Sequence, residues 1–172
     1  MRRLVFLDET GLNTVMTRLY GRSLRGCRCL SALPHGHWQT STFIAALRHD
    51  RIDAPFLVEG PMDSEAFTAY LEHVLCPELH PGDTLILDNL STHKIPSVSG
   101  LLSACGARLR YLPPYSPDLN PMEQAIAKLK AHLRQAAART VEELLIAVGG
   151  ALDSFSASQC RAFFRHAHYA SI

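Results

Sequence analysis

The stretch "DTLILDN", residues 83–89, is apolar at three consecutive positions, Leu85, Ile86 and Leu87, and then stops on a carboxylate, Asp88. A strand with one wet face alternates polar and apolar residues, whereas an unbroken apolar run is buried on both faces. Covering both faces of a sheet calls for helices on each side, which predicts an α/β architecture. The 172 residues, 47% of them hydrophobic, suffice for a single domain with a full core.

The flanking patterns predict the other elements. "RRLVFLD" (2–8), "CRCLSALPHG" (27–36) and "TSTFIAALRHD" (40–50) read as strands of an antiparallel meander, with turn material at 34–36. A short extended piece, "PFLVEG", leads to an amphipathic helix in "DSEAFTAYLEHVL", capped by Asp63 or Ser64. After the strand that ends at Asp88, a helix at about 94–105 and a strand, "ARLRYLP", are expected. The loop "PPYSPDLNP" then opens a long helix over 121–137, and two helices, 141–152 and 157–167, close the chain. Thr140, with Glu143 three residues on, has the spacing of a capping box. The whole describes a mixed sheet with helices on both faces, one domain over residues 1–172.

Asp88 then lies at the C-terminal end of a central strand, where open α/β sheets bind ligands. Asp8 holds the same place after Leu4-Val5-Phe6-Leu7, and parallel pairing of the two strands would make the carboxylates neighbours. Glu123, separated from Asp88 by 34 residues, falls in the first turn of the long helix. Three converging carboxylates repel one another unless cations sit between them. An all-oxygen donor set favours Mg2+ or Mn2+, as a pair of ions able to activate a water or hydroxyl at a phosphodiester. Taken singly, each acid has a plainer role as a strand-end cap or a helix-dipole partner. On the long helix, Met122, Ile126, Leu129 and Leu133 form the core stripe, with Glu123, Ala127, Lys130 and Arg134 beside it. An acid and two cations in line suit a helix lying along a phosphate backbone.

Net charge is only +1, but residues 1–28 and 108–139 hold most of the basic side chains beside few acids, as expected if one face meets a polyanion. Five cysteines, an odd number within mostly apolar segments, argue against a disulfide framework and for a reducing compartment. Cys27-Arg28-Cys29 lacks the spacer of a zinc knuckle and reads as half-buried small residues. No apolar run reaches the roughly 18 residues that span a bilayer, so a soluble, cytoplasmic protein without a membrane partner is expected.

"FLDETG", "PGDTLILDNLSTHK" and "LPPYSPDLNPMEQAIAKLKAHLR" resemble, in order and spacing, the three blocks of the DDE-superfamily endonuclease domain of bacterial insertion-sequence transposases related to the mariner elements. The resemblance implies an RNase H-like fold, a Mg2+ or Mn2+ site, and DNA strand cleavage with strand transfer in transposition. It maps the two aspartates of the motif to Asp8 and Asp88 and the glutamate to Glu123, as catalytic and metal-holding residues. Glu9 is not carried over, since alternation sends it to the opposite face. Lys128, Lys130, Arg134 and His93 are the expected DNA contacts, and Asn89 shares with His93 either a phosphate-orienting or a helix-entry role. The partners implied are transposon ends and target DNA, with a homodimer left open. Related transposases also carry an N-terminal helix-turn-helix region, expected here to be encoded separately or lost, because Met1 stands directly before the first strand. An RNase H-like nuclease or resolvase, commonly with a fourth acid, is one alternative, and a decayed or domesticated DNA-binding remnant is the other. His35 and His37 read as turn residues flanking a buried Trp38, and His166 and His168 as solvent-facing.

Overall fold

The computed structural model describes residues 3–18, 20–32, 34, 37–89 and 96–169, apart from the side chains of 96 and 97. Five strands form one sheet: β1 (Leu4–Asn13), β2 (Thr40–Leu47), β3 (Ile52–Glu59), β4 (Thr84–Leu87) and β5 (Arg108–Tyr111), in spatial order β3-β2-β1-β4-β5. The first three are antiparallel neighbours, and β4 and β5 add in parallel on the other side of β1. Helix α1 (Ser64–Tyr70) runs on through a π-helical turn, Leu71–Leu75, and a 3-10 turn, Cys76–Glu78. The remaining helices are α2 (Pro96–Ala104), α3 (Pro121–Ala136), α4 (Val141–Leu152) and α5 (Ala157–His166).

The period of two along the strands sorts the core into two layers. Val5, Leu7, Leu85 and Leu87 pack with Phe67, Leu71 and Leu75 of the α1 segment and with Val98 and Leu102 of α2. Phe6 and Ile86 point the other way, into Met122, Ile126, Leu129 and Leu133 of α3, with α4 and α5 behind them. Every member of the expected α3 stripe is buried. Burial of β4 on both faces, inferred from its unbroken apolar run, follows directly.

Local chemistry sets the helix ends. Asp63 caps α1 by accepting from the Ala66 N–H, and Ser156 with Gln159 forms a capping box on α5. Thr140 accepts from the Glu143 N–H at 3.1 Å, but the Glu143 carboxylate reaches back to the Arg139 N–H, one residue before the cap.

Three expectations need correction. "CRCLSALPHG" is not a strand: its described residues, 27–32 and 34, lie outside the sheet, and Cys27 and Cys29 are exposed rather than half-buried. The place beside β2 is filled by β3, whose hairpin closes at once through the Arg48 N–H to Arg51 carbonyl bond of 2.8 Å. Trp38 is also exposed, at 60%, and not a buried indole. His37, His166 and His168 are exposed, while His35 falls outside the described residues. Among the described residues, no helix is long and apolar enough to cross a membrane.

Candidate active site

The β1–β4 register, Leu4 to Thr84 through Phe6 to Ile86, brings Asp8 opposite Asp88 when continued by two residues. Alternation turns both toward the layer of Phe6 and Ile86, where α3 lies. There β4 ends while β1 continues to Asn13, leaving a cleft at the step. Asp8, Asp88, Asn89, Glu123, Asn120 and the loop Leu112–Pro117 line it, with a volume of about 510 Å³. All three sequence-predicted acids thus face one cleft, from three different elements.

Asp8 carries the strongest electrostatic signature. Its carboxyl is pushed up to about 7, chiefly by burial; the Glu9 N–H opposes this, and the negative charges of Glu123 and Asp88 add to it. The Asn120 amide, donating to Asp8 Oδ2 at 2.8 Å, also works against the rise. Among the described residues no three His, Cys, Asp or Glu side chains form a group that could hold a metal ion unaided. The donor chemistry still fits a hard divalent cation, because Mg2+ retains several waters and shares one or two carboxylates with substrate phosphates. A cation here would also offset the desolvation of Asp8 and its repulsion by Glu123 and Asp88.

Asn120 is not among the residues expected from sequence. It is 6% exposed, caps α3 by accepting from the Met122 N–H at 3.1 Å, and spends its amide donor on Asp8. One side chain therefore fixes both the start of the helix that carries Glu123 and the orientation of Asp8. Asn120→Asp is expected to keep the cap but set a second acid against Asp8. The cap itself should change by about 1 kcal/mol or less, while the lost amide donor and the added charge beside buried Asp8 should lower the melting temperature more at neutral than at acid pH. Equal melting temperatures of Asn120→Asp and wild type at neutral pH would contradict the contact with Asp8.

The expected DNA-contacting cations divide. Lys130 and Arg134 line a second groove of about 280 Å³, with Gly11, Asn13, Val15, Met16 and Thr17 on its other side. It continues the line of β1 and α3 away from the acids. Lys128 is turned elsewhere: its ammonium donates to the Ser154 carbonyl at 2.7 Å and Gln159 Oε1 at 2.8 Å, and lies 4.2 Å from the centre of the Phe155 ring. It ties α3 to the α4–α5 corner. Two positions from Lys130 is about 200° around a helix, so the periodicity itself separates the pair. His93 falls outside the described residues.

The model of the DDE superfamily endonuclease family matches residues 3–145. No curated protein matches the chain. Among solved structures, the Mos1 transposase paired-end complex with the left transposon end superposes at a TM-score of 0.71 and 14% identity, over 97% of this chain and 52% of that one. The Mos1 mariner paired-end complex with Mn gives 0.67 at 17% identity, over 97% and 52%. The catalytic domain of Mos1 mariner transposase gives 0.65 at 13%, over 97% and 76%. The shared fold is RNase H-like, as the mixed sheet anticipates. The chain spans about half the length of the transposases in the DNA complexes.

Proposed function

The chain belongs to the DDE superfamily endonuclease family, and from that premise we propose that it is the catalytic domain of a transposase, cleaving DNA and transferring the cut strand at the cleft of Asp8, Asp88 and Glu123. The observation that carries the proposal is that these three acids, far apart in sequence, line one cleft, where the charges of Glu123 and Asp88 act on Asp8. Asp8, Asp88 and Glu123 would hold Mg2+ or Mn2+, most simply as two ions, which when bound would polarise a phosphodiester and activate a water or hydroxyl. Asn120 keeps Asp8 aimed into the cleft. Leu112, Pro113 and Pro114 add apolar surface to the lining of the cleft. Mos1 is solved with transposon-end DNA and with Mn, which supports the same substrate and ion class here.

Residues 1–172 are taken as one catalytic domain, and recognition of a particular terminal sequence is assigned to a separate helix-turn-helix region. The test is incubation of the purified chain with duplex DNA in Mg2+ or Mn2+, against EDTA and the variant Asp88→Ala. Metal-dependent nicking and joining by the wild type alone is the expected result. Comparable products from Asp88→Ala, with contaminating nuclease excluded, would sink the proposal.

Lys130 and Arg134 extend the cleft into a phosphate track. At 1.5 Å per residue along α3 they lie roughly 10 to 16 Å beyond Glu123, about three to five nucleotides at the 3.4 Å rise of one strand. Changing both to Ala should weaken binding to all DNA sequences alike. The slope of log K against log salt should fall by roughly one for each phosphate no longer neutralised. A titration showing an unchanged slope would make these two side chains merely solvated.

A further inference from the structure

Resting on the reading of the cleft as a DNA-cleavage site, we propose that Tyr115 stacks on a nucleobase next to the phosphate being cut and so positions the strand against the acids. Two costs coincide at this residue. Its ring is 102% exposed, as open as in an extended chain, although it lines the same cleft as Asp8, Asp88 and Glu123. Its backbone sits at φ +55°, a conformation that glycine or asparagine adopts with less strain. The other described non-glycine residues at positive φ have structural occasions for it: Ala54 lies beside the irregular β2–β3 pairing, Ala137 caps α3, and His168 follows α5. Tyr115 takes it in the turn formed with Pro114, at a position where glycine or asparagine would serve with less strain but an aromatic side chain stands instead.

The mount is stiff. Pro113 and Pro114 precede the residue, Pro117 follows two places later and starts a 3-10 turn, and the Ser116 hydroxyl donates to the Pro114 carbonyl at 3.3 Å. A strained turn between prolines therefore holds an aromatic face out over the rim, with little conformational entropy left to lose on contact. By contrast Tyr70 is 3% exposed and Tyr169 packs edge-on against Phe6. The chemistry that fits a presented ring beside a polyanion cleft is the π face of a base: cations grip the backbone and aromatics take the unstacked bases. Every base offers that face, so the contact positions the strand without selecting its sequence. Tyr115 is a positioning residue; it takes no part in bond making.

The experiment uses the full chain and duplexes carrying 2-aminopurine at successive positions around the nick, with Tyr115→Ala, Tyr115→Phe, Tyr115→Trp and Tyr115→Gly. Wild type should quench the probe at one position, in EDTA as well as in Mg2+. Tyr115→Ala should lose that quench and cleave about tenfold more slowly, while Phe and Trp retain both. Tyr115→Gly should lose the quench yet melt no lower than wild type, since it relieves the backbone. An abasic nucleotide at the quenched position should slow wild type by the same factor and leave Tyr115→Ala no slower. Equal slowing of both proteins, or full-rate cleavage by Tyr115→Ala, would overturn the stacking role. So would a Tyr115→Ala defect that higher protein concentration restores, which would make the ring a contact between proteins. Quenching without cleavage by wild type would instead overturn the cleavage reading and leave the stacking in place.

Discussion

Asp8→Asn is expected to lose DNA cleavage by about a thousandfold or more and yet to unfold at a higher temperature than the wild type at neutral pH. The two effects share a cause. In the folded chain the Asp8 carboxyl is pushed up from 3.8 to about 7, first by burial and further by Glu123 and Asp88. The folded state therefore binds this proton more tightly than the unfolded one. Below about pH 4 both states are protonated and Asp8 costs nothing; between about 4 and 7 stability falls as pH rises; above about 7 the whole penalty is present. Its upper bound is about 4 kcal/mol. Asparagine removes the charge but cannot accept from both the Glu9 N–H and the Asn120 amide, which returns about 1 kcal/mol. Melting in EDTA from pH 4 to 8 should show the variant gaining on the wild type as pH rises. A gap that is widest at acid pH would refute this account. Asp88→Ala and Glu123→Ala should abolish cleavage as well, because neither carboxylate has a substitute in the cleft.

The same cleft shows how far sequence carries. Leu85-Ile86-Leu87 announces a doubly covered strand, and alternation from Phe6 and Ile86 is enough to aim Asp8 and Asp88 at one face. Both are local periodicities, legible without knowing any partner. The capping role of Asn120 is equally local, an asparagine ahead of Pro121, but its bond to Asp8 joins residues 112 apart and belongs only to the folded chain. β3 reads in sequence as a short extended piece because Pro55 interrupts it. Proline is tolerated there since β3 is the edge of the sheet. The error at 27–36 arises from alternating small residues that resemble a half-buried strand. No pattern in the segment states whether a neighbouring strand is free to receive it.

Arg48→Met should cost about 3 to 5 kcal/mol of folding stability, a large part of the 5 to 15 kcal/mol usual for a domain, and lower the melting temperature by roughly 10 °C. Arg48 is 4% exposed, and its guanidinium holds Asp53 at 2.5 Å, Asp83 at 2.7 Å and the Glu78 carbonyl at 2.9 Å. It thereby ties the β2–β3 hairpin to the start of β4. Methionine fills much of the volume but leaves two buried carboxylates without their shared cation, with the half-exposed Arg51 beside Asp53 and the His80 N–H on Asp83. Burial pushes the Asp83 carboxyl up, yet the Arg48 bond and the His80 N–H outweigh it and hold it below the ordinary carboxylate range. A depressed carboxyl contributes stability above its unfolded pKa and loses it as pH falls through the folded one. The gap between variant and wild type should accordingly narrow as pH falls toward and through about 4: the buried acids that have lost Arg48 take up protons first, and the wild type then loses the contribution of its ion pairs. Adding Asp53→Asn and Asp83→Asn to Arg48→Met should recover much of the loss at neutral pH by the same reasoning. Asp83 and Asp88 bracket β4, so the cluster lies at the opposite end of the strand from the acids, on the order of 17 Å away. Well below its melting point, folded Arg48→Met should cleave DNA at the wild-type rate. A loss under about 1 kcal/mol, or a gap indifferent to pH, would mean that this arginine closes the hairpin by shape alone.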